Sequence, residues 1–271
     1  MSKSPKKRAD ELIFQAGLAR SRSQAQALIM AGEVLAQTPA EGPEAEAEAG
    51  PLRPVKKAGE FWPEGSLFTV TPRRRFASRG GHKLEGALED LKIDPAGWKV
   101  LDIGASTGGF TDCLLQHGAA EVTAVDVGRN LLDLKLRQDS RVIVHDGINA
   151  RFLAEKLPGA AFDLAVMDLS FISLDLILPQ AARLLKPGGC LLAMVKPQFE
   201  VGRHKVGKKG VVRDPALIKE AADKISALGP ALEPPFREVG RAPSRLTGPE
   251  GNQEIFLLFQ PLGGPEDQAN S

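Results

Sequence analysis

The chain has 271 residues, 42% of them apolar, and its 35 basic residues nearly balance its 34 acidic ones. That length supports one large domain and a small one with a real core, and the even charge excludes any inference about partners from net charge alone. Two cysteines without metal-ligand spacing exclude a disulfide framework and a cysteine metal site, and no apolar run approaches the ~18 residues of a membrane span.

Residues 1–70 read as a small domain. ADELIFQAGLARSRSQAQALIMAGEVLAQ carries Leu12, Ile13 and Ala16, then Ala25, Leu28 and Ile29, at helical spacing. Gly17 and Gly32 are expected to stop two short helices, and Ser21 or Ser23 to cap the second. TPAEGPEAEAEAGP lacks periodicity and reads as a solvated loop, and GSLFTV alternates like a short strand. The N-terminal MSKSPKKRADEL is basic without the apolar core of a secretory signal. With Cys113 and Cys190 read as buried reduced thiols, the expectation is a cytoplasmic protein.

Residues 71–82 read as a basic linker; TPRRRFASRGGHK holds Arg73, Arg74, Arg75, Arg79 and Lys83 without an acid. From 83 to 262 strands and helices alternate. Strands are expected at 99–105, 121–127, 142–146, 162–169, 190–196, about 236–241 and 254–260, with helices filling the gaps up to residue 229. Such βα units imply a parallel sheet covered on both faces. The last two strands lack a long helix between them, which suits an antiparallel hairpin at the sheet edge. Residues 263–271 read as a disordered tail.

The loop after the first of these strands, LDIGASTGGFTD, is neither a dinucleotide fingerprint nor a P-loop. Gly104, Ala105, Ser106, Thr107, Gly108, Gly109 and Phe110 are the candidate contacts, because glycines let backbone approach a ligand and a helix starting there offers free N–H groups. Asp126, followed by Val127, ends the second strand and can accept from both ribose hydroxyls. That fits a nicotinamide dinucleotide and S-adenosylmethionine equally. Asp146-Gly147, ending the third strand, can accept from an adenine amino group. Three points on successive strand ends favour the compact nucleoside.

VLDIGASTGGFTDCLLQHGA, MDLSFISL, VKPQFEVGR, GVVRDP and GPEGNQEIFLL occur in that order and together resemble the TlyA family, hemolysin-type ribosomal RNA methyltransferases of the FtsJ-like superfamily. GLARSRSQAQALIMAGEVL resembles the S4 RNA-binding domain that the family carries. The resemblance implies an α/β fold: a Rossmann-like class I methyltransferase with a seven-stranded, mostly parallel sheet and an antiparallel last strand, preceded by a small α+β S4-like domain. It implies S-adenosylmethionine as methyl donor and a ribose 2′-hydroxyl of ribosomal RNA, in family members a cytidine, as acceptor. Its Lys-Asp-Lys-Glu tetrad falls on Lys83, Asp168, Lys196 and Glu254. Lys196 is then the residue that takes or steers the hydroxyl proton, and Asp168 orients it beside the methyl group.

Deprotonating an ordinary lysine at neutral pH costs roughly 4 kcal/mol. Lys83 favours it, while Asp168 and Glu254 oppose it, so positioning is the expected role of Lys196. The turn after the fourth strand reads DLSF and lacks the prolines of exocyclic-amine methylases. The cysteines fall at positions that do not suit cytosine C5 chemistry.

Two basic segments flank the expected site: Arg73 to Lys83, and KPQFEVGRHKVGKKGVVRDP with Arg203, Lys205, Lys208, Lys209 and Arg213. Together with Lys6, Lys7, Arg8, Arg20 and Arg22 of the first domain, they form the expected RNA-binding surface. With few aromatics nearby, shape and phosphate recognition of folded RNA is expected over stacking. The partners expected are ribosomal RNA or ribosomal subunits, with no metal and no membrane, and a monomer is favoured. The competing reading is an RNA-binding or ribosome-assembly factor with a vestigial methyltransferase domain. A membrane-lysing protein is disfavoured by the lack of an apolar span or strongly amphipathic basic helix.

Overall fold

In the computed structural model, which describes residues 5–30, 32–39, 50–70, 75–202, 205–207, 210–248 and 250–263, the chain divides into two units, 1–75 and 76–271. Most of the acidic loop and nearly all of the expected tail lie outside the described residues.

The first unit runs β1 (Lys6–Arg8), α1 (Ala9–Gln15), α2 (Arg22–Met30), β2 (Val34–Gln37), β3 (Arg53–Pro54), β4 (Phe61–Pro63) and β5 (Leu67–Val70). Both expected helix stops have the left-handed φ of +72° that favours glycine. In each, the chain closes with a pair of backbone bonds, Leu18 N to Ile13 O at 3.1 Å and Glu33 N to Leu28 O at 3.0 Å among them. Ser21 Oγ accepts the Gln24 N–H and supplies the cap of α2. Apolar residues spaced along α1 and α2 meet Val34, Ala36, Val55 and Trp62 in one small core. β1 pairs with β4, and β2 lies between β3 and β5. Of these five strands, each two to four residues long, only β5 was legible in the sequence.

The second unit runs α3 (Arg79–Asp90), β6 (Lys99–Ile103), α4 (Gly109–Gln116), β7 (Glu121–Asp126), α5 (Leu134–Arg137), β8 (Val142–Asp146), α6 (Leu153–Lys156), β9 (Phe162–Met167), α7 (Leu178–Ala182), β10 (Leu185–Val195), α8 (Pro197–Glu200), α9 (Pro215–Ser226), β11 (Phe236–Pro243) and β12 (Ile255–Pro261). α3 therefore starts inside the segment read as linker, with Ser78 Oγ accepting the Gly80 N–H. The sheet order is β11-β12-β10-β9-β6-β7-β8. β12 is antiparallel to both neighbours and the other neighbour pairs are parallel. The closing hairpin thus folds inward: β11 is the edge strand and β12 is inserted one place in.

The expectation that helices fill the gaps needs correction after β7 and β8. α5 and α6 are single turns of four residues. After β7 the chain turns through Asn130 at φ +57°, and only from Asp133, whose carboxylate caps Lys135 N at 2.9 Å, can a helix begin. One layer of core packs α7, α9 and the chain around them on one face of the sheet, and a second packs α3 and α4 on the other.

Pairing sets the site. Ile103 pairs with Met167, Met167 with Ala193, and Val195 with Ile255. The ends of β6, β9 and β10 and the start of the reversed β12 therefore share one edge, where open α/β sheets bind ligands.

Candidate active site

A cavity of about 540 Å³ opens at this edge, lined among others by Gly104, Ser106, Asp126, Val127, Leu131, Ile148, Asn149, Ala150, Arg151, Asp168 and Ser170. Gly104 has φ +87°, and a Cβ there would lie 2.8 Å from the Asp168 carbonyl oxygen, so a side chain would push β9 away. Asp126 accepts Ser106 N at 2.8 Å on one carboxylate oxygen and Gly128 N at 2.7 Å on the other. Its carboxylate ties the β6 and β7 turns together while facing the cavity.

The rest of the glycine-rich loop serves packing. A Cβ on Gly108 would fall 2.3 Å from Leu136, and one on Gly109 2.1 Å from Ser78 Oγ and 2.9 Å from Gly81 N. These two glycines admit α5 and α3, and they do not line the cavity. Ala105 is buried, Phe110 packs 6.1 Å from Phe256, and exposed Thr107 offers its carbonyl to Asp133 N at 3.2 Å. Asp146 and Gly147, also expected as ligand contacts, have partners within the protein. Asp146 accepts from Arg137 at 2.5 Å and from Asn130 N at 3.2 Å. The Arg137 guanidinium holds that carboxyl below the usual range. Gly147, at φ +75°, lies against the Arg129 guanidinium. The cavity wall beyond β8 consists instead of Ile148, Asn149, Ala150 and Arg151.

The four tetrad positions form two ion pairs. Lys196 Nζ stands 2.7 Å from Asp168 Oδ1 and donates a hydrogen bond to Ser170 Oγ at 2.8 Å. Asp168 Oδ1 is close enough to attract the ammonium but is not aligned to accept a hydrogen bond from it. Lys83, on α3, donates to Glu254 Oε2 at 2.5 Å, and both are buried. Gly248 makes room for that carboxylate, since a Cβ there would sit 2.9 Å from Glu254 Oε1. Ser170 was not singled out from the sequence, although its place in DLSF beside Asp168 was the available signal.

Asp102 was also missed. It lies within β6, fully buried, with Thr111 Oγ1 donating to one oxygen at 2.6 Å and the other oxygen without a hydrogen-bond partner among the described residues. Burial pushes its carboxyl up to about 7, assisted by the charge of Asp168 and opposed by the Thr111 hydrogen bond. Between pH 3.8 and about 7 the folded chain keeps a proton that the unfolded chain has released. Stability of the ligand-free protein therefore falls as pH rises through that window. Asp102→Asn is expected to flatten this slope, raising the melting temperature of the second unit at pH 8 by several degrees and changing it little at pH 4. Thermal unfolding from pH 4 to 8 checks this, and an unchanged slope would remove the assignment.

Of the basic residues, several are engaged within the protein. Arg8 grips Asp10 through two bonds of 3.0 Å, with Arg22 Nη2 at 3.5 Å and Gln26 Nε2 at 2.7 Å on the same carboxylate. The Arg8 guanidinium holds the Asp10 carboxyl far below its usual range. Lys7 pairs with Glu64 and Lys205 with Glu220, each at 2.5 Å, and Arg79 donates to the Thr247 carbonyl at 3.3 Å. Lys6, Arg20, Arg75 and Arg213 are exposed. Arg73, Arg74, Arg203, Lys208 and Lys209 lie outside the described residues. Cys113 and Cys190 are buried and form no disulfide, and burial pushes the Cys190 thiol up to about 12, too weakly acidic for a thiolate nucleophile. Among the described residues no cluster suits a metal ion, and no helix is long and apolar enough to cross a membrane.

A parallel sheet with one inserted antiparallel strand, and a cavity over its first βα turn, defines a methyltransferase fold. The model of the FtsJ-like methyltransferases matches residues 76–260, and that of the S4 domain residues 7–35. The chain belongs to the FtsJ-like methyltransferase family, within its TlyA group. It is 44% identical over 93% of its length to the 16S/23S rRNA (cytidine-2′-O)-methyltransferase TlyA of Mycobacterium tuberculosis, of which it covers 89%. To the 23S rRNA (cytidine-2′-O)-methyltransferase TlyA of Campylobacter jejuni it is 36% identical, over 77% of this chain and 82% of that one. The solved structure of a hemolysin-named protein from Streptococcus thermophilus aligns over 96% of this chain and 90% of that one, with a TM-score of 0.67 and 38% identity.

Proposed function

We propose that the protein transfers the methyl group of S-adenosylmethionine to the ribose 2′-hydroxyl of a cytidine in ribosomal RNA. The observation that carries this reading is the Lys196 ammonium, held against Asp168 and Ser170, which line a cavity that Asp126 also lines. The residues fit the donor. Asp126 offers carboxylate oxygens to two ribose hydroxyls, Ile148 and Asn149 form the wall for a flat base, and Asp168 sets a negative charge where a sulfonium would lie. When bound, the donor supplies an electrophilic methyl group.

This chain's residues then do the rest. The Lys196 ammonium donates to Ser170 Oγ and is attracted by Asp168 Oδ1 without donating to it, which leaves N–H for the incoming hydroxyl oxygen. There it would stabilise the negative charge that develops on the attacking oxygen, whose proton passes to the Asp168 carboxylate while Lys196 stays an ammonium. Lys83 and Glu254 neutralise one another inside the protein and brace the start of β12. The exposed cations of the S4 unit and of the second unit hold RNA phosphates, and the site of action is the ribosomal particle in the cytoplasm.

The test is calorimetry with S-adenosylmethionine, followed by transfer of a tritiated methyl group to ribosomal subunits from a strain lacking this activity. A binding heat and label retained in ribosomal RNA are expected. No binding heat would identify the vestigial, RNA-binding alternative, and binding without transfer to RNA would refute the acceptor.

A further inference from the structure

Beside the donor cavity lies a second one, of about 510 Å³, lined by Phe171, Ile172, Ser173, Gln198, Phe199, Gly202, Val206, Gly207 and Gly210. Phe171 and Ile172 belong to both walls. The second cavity thus begins where the acceptor hydroxyl must lie: Phe171 follows Ser170, the partner of Lys196, and Gln198 stands two residues beyond Lys196. Its composition is not that of a phosphate site. Two phenylalanine rings, 5.2 Å apart and inclined at 51°, and the side chains of Ile172 and Val206 present apolar surface. At Gly207 a side chain would strike the Val211 carbonyl at 2.8 Å.

Against this apolar wall stands one unmatched polar atom. Gln198 Oε1 is buried and has no hydrogen-bond partner among the described residues. An unsatisfied buried acceptor costs about 1–3 kcal/mol, and such groups persist where a ligand completes them. A flat ring with an N–H donor on its edge satisfies both features of this cavity. In a nucleotide the base hangs from the ribose carbon next to the one bearing the reacting hydroxyl, so a base here is consistent with the hydroxyl at Lys196.

Resting on the methyl-transfer reading above, we infer that this cavity holds the base of the target nucleotide and that Gln198 Oε1 accepts from the exocyclic amine of cytosine. Uracil places a carbonyl oxygen at the same edge, which Gln198 meets only by turning its amide to present Nε2–H, so the amide orientation in this structure favours cytosine. Stacking, not expected from the sequence, thereby enters recognition at the target base itself. Gln198 is a specificity residue: it acts on the base and takes no part in moving the methyl group.

The experiment uses the full chain and ribosomal subunits carrying cytidine or uridine at the mapped methylation position. The wild type establishes the underlying reading: no transfer to the cytidine subunits would mean that the reaction itself is misassigned. Given that transfer, Gln198→Leu should lower the cytidine-to-uridine ratio of kcat/KM about tenfold, with S-adenosylmethionine affinity unchanged. Gln198→Glu keeps an acceptor oxygen and should preserve the preference. An unaltered ratio in Gln198→Leu overturns the inference.

Should that variant be inactive on both substrates, the wild type with S-adenosylhomocysteine is titrated with cytidine and uridine 5′-monophosphates. The Gln198 side-chain amide resonance is followed. A larger shift with the cytidine nucleotide supports the inference, and equal or absent shifts overturn it.

Discussion

Lys196→Ala should lower the rate of methyl transfer about 10³-fold or more while S-adenosylmethionine still binds. The side chain is buried and its ammonium is fixed from two sides, by Ser170 Oγ at 2.8 Å and by Asp168 Oδ1 at 2.7 Å. Such fixation sets the orientation of the ammonium before substrate arrives. A preorganised donor at a developing oxyanion, together with help in moving the proton, accounts for losses of this size. Alanine also leaves Asp168 without its cation, so the variant should melt a few degrees lower. Single-turnover kinetics with saturating donor isolates the chemical step. A fall confined to KM would assign Lys196 to RNA binding, and retained turnover would remove it from the reaction. Ser170→Ala should show a weaker form of the same defect, since Asp168 still attracts the ammonium.

Asp10→Ala should have the largest effect on the first unit. Asp10 has no exposed surface, and Arg8, Arg22 and Gln26 converge on it from β1 and α2. The two arginines are about half exposed and can return to water. The loss is therefore that of hydrogen bonds to a buried charge, about 2–3 kcal/mol. In a unit this small that corresponds to roughly 10–20 °C in melting temperature, enough to leave α1 and α2 open to hydrogen exchange at 37 °C.

Arg8 holds the carboxyl well below its usual range, so its contribution is fully present above the ordinary carboxylate range and fades only as pH falls below it. The difference between wild type and Asp10→Ala should therefore be constant from pH 5 to 8 and shrink in acid. Exchange protection of α1 and α2, read against the second unit as internal reference, measures it. Equal protection in both proteins would show that the cluster does not hold the unit. Ribosomal RNA binding should weaken along with protection, because the exposed cations of this unit would lose their fixed spacing.

The sequence carried the second unit further than the first because long apolar strands announce themselves. β8 and the starts of β6, β7 and β9 follow directly from apolar runs closed by turns, and a helix begins one residue after Gly108. What periodicity does not contain is order and burial. That β12 slips between β10 and β11 is a matter of tertiary pairing. β10 starts early, at Leu185, because Lys186-Pro-Gly-Gly is carried as an irregularity before pairing resumes at Cys190.

In the site, residues whose chemistry acts across a strand end were legible: Asp126, Asp168 and Lys196 sit where a βα turn must put them. That Gly108 and Gly109 also admit α5 and α3 was not legible, because a sequence does not show which elements pack against a glycine. The pairing of Asp146 with Arg137 was not legible because Arg137 lies in a connection with no periodic signal. Ser170 and Gln198 were silent because a hydroxyl or an amide acquires meaning only from what stands beside it.

The central claim is that Lys196, paired with Asp168 at the sheet edge, directs a methyl group to a ribose oxygen and not to a base. Nucleoside mass spectrometry of ribosomal RNA, isolated from subunits incubated with the protein and deuteromethyl-labelled S-adenosylmethionine and then digested to single nucleosides, tests it most directly. The account predicts label in 2′-O-methylcytidine, and its absence there with the Lys196→Ala protein. Label in a base-methylated nucleoside, or in none with the wild type, would contradict it.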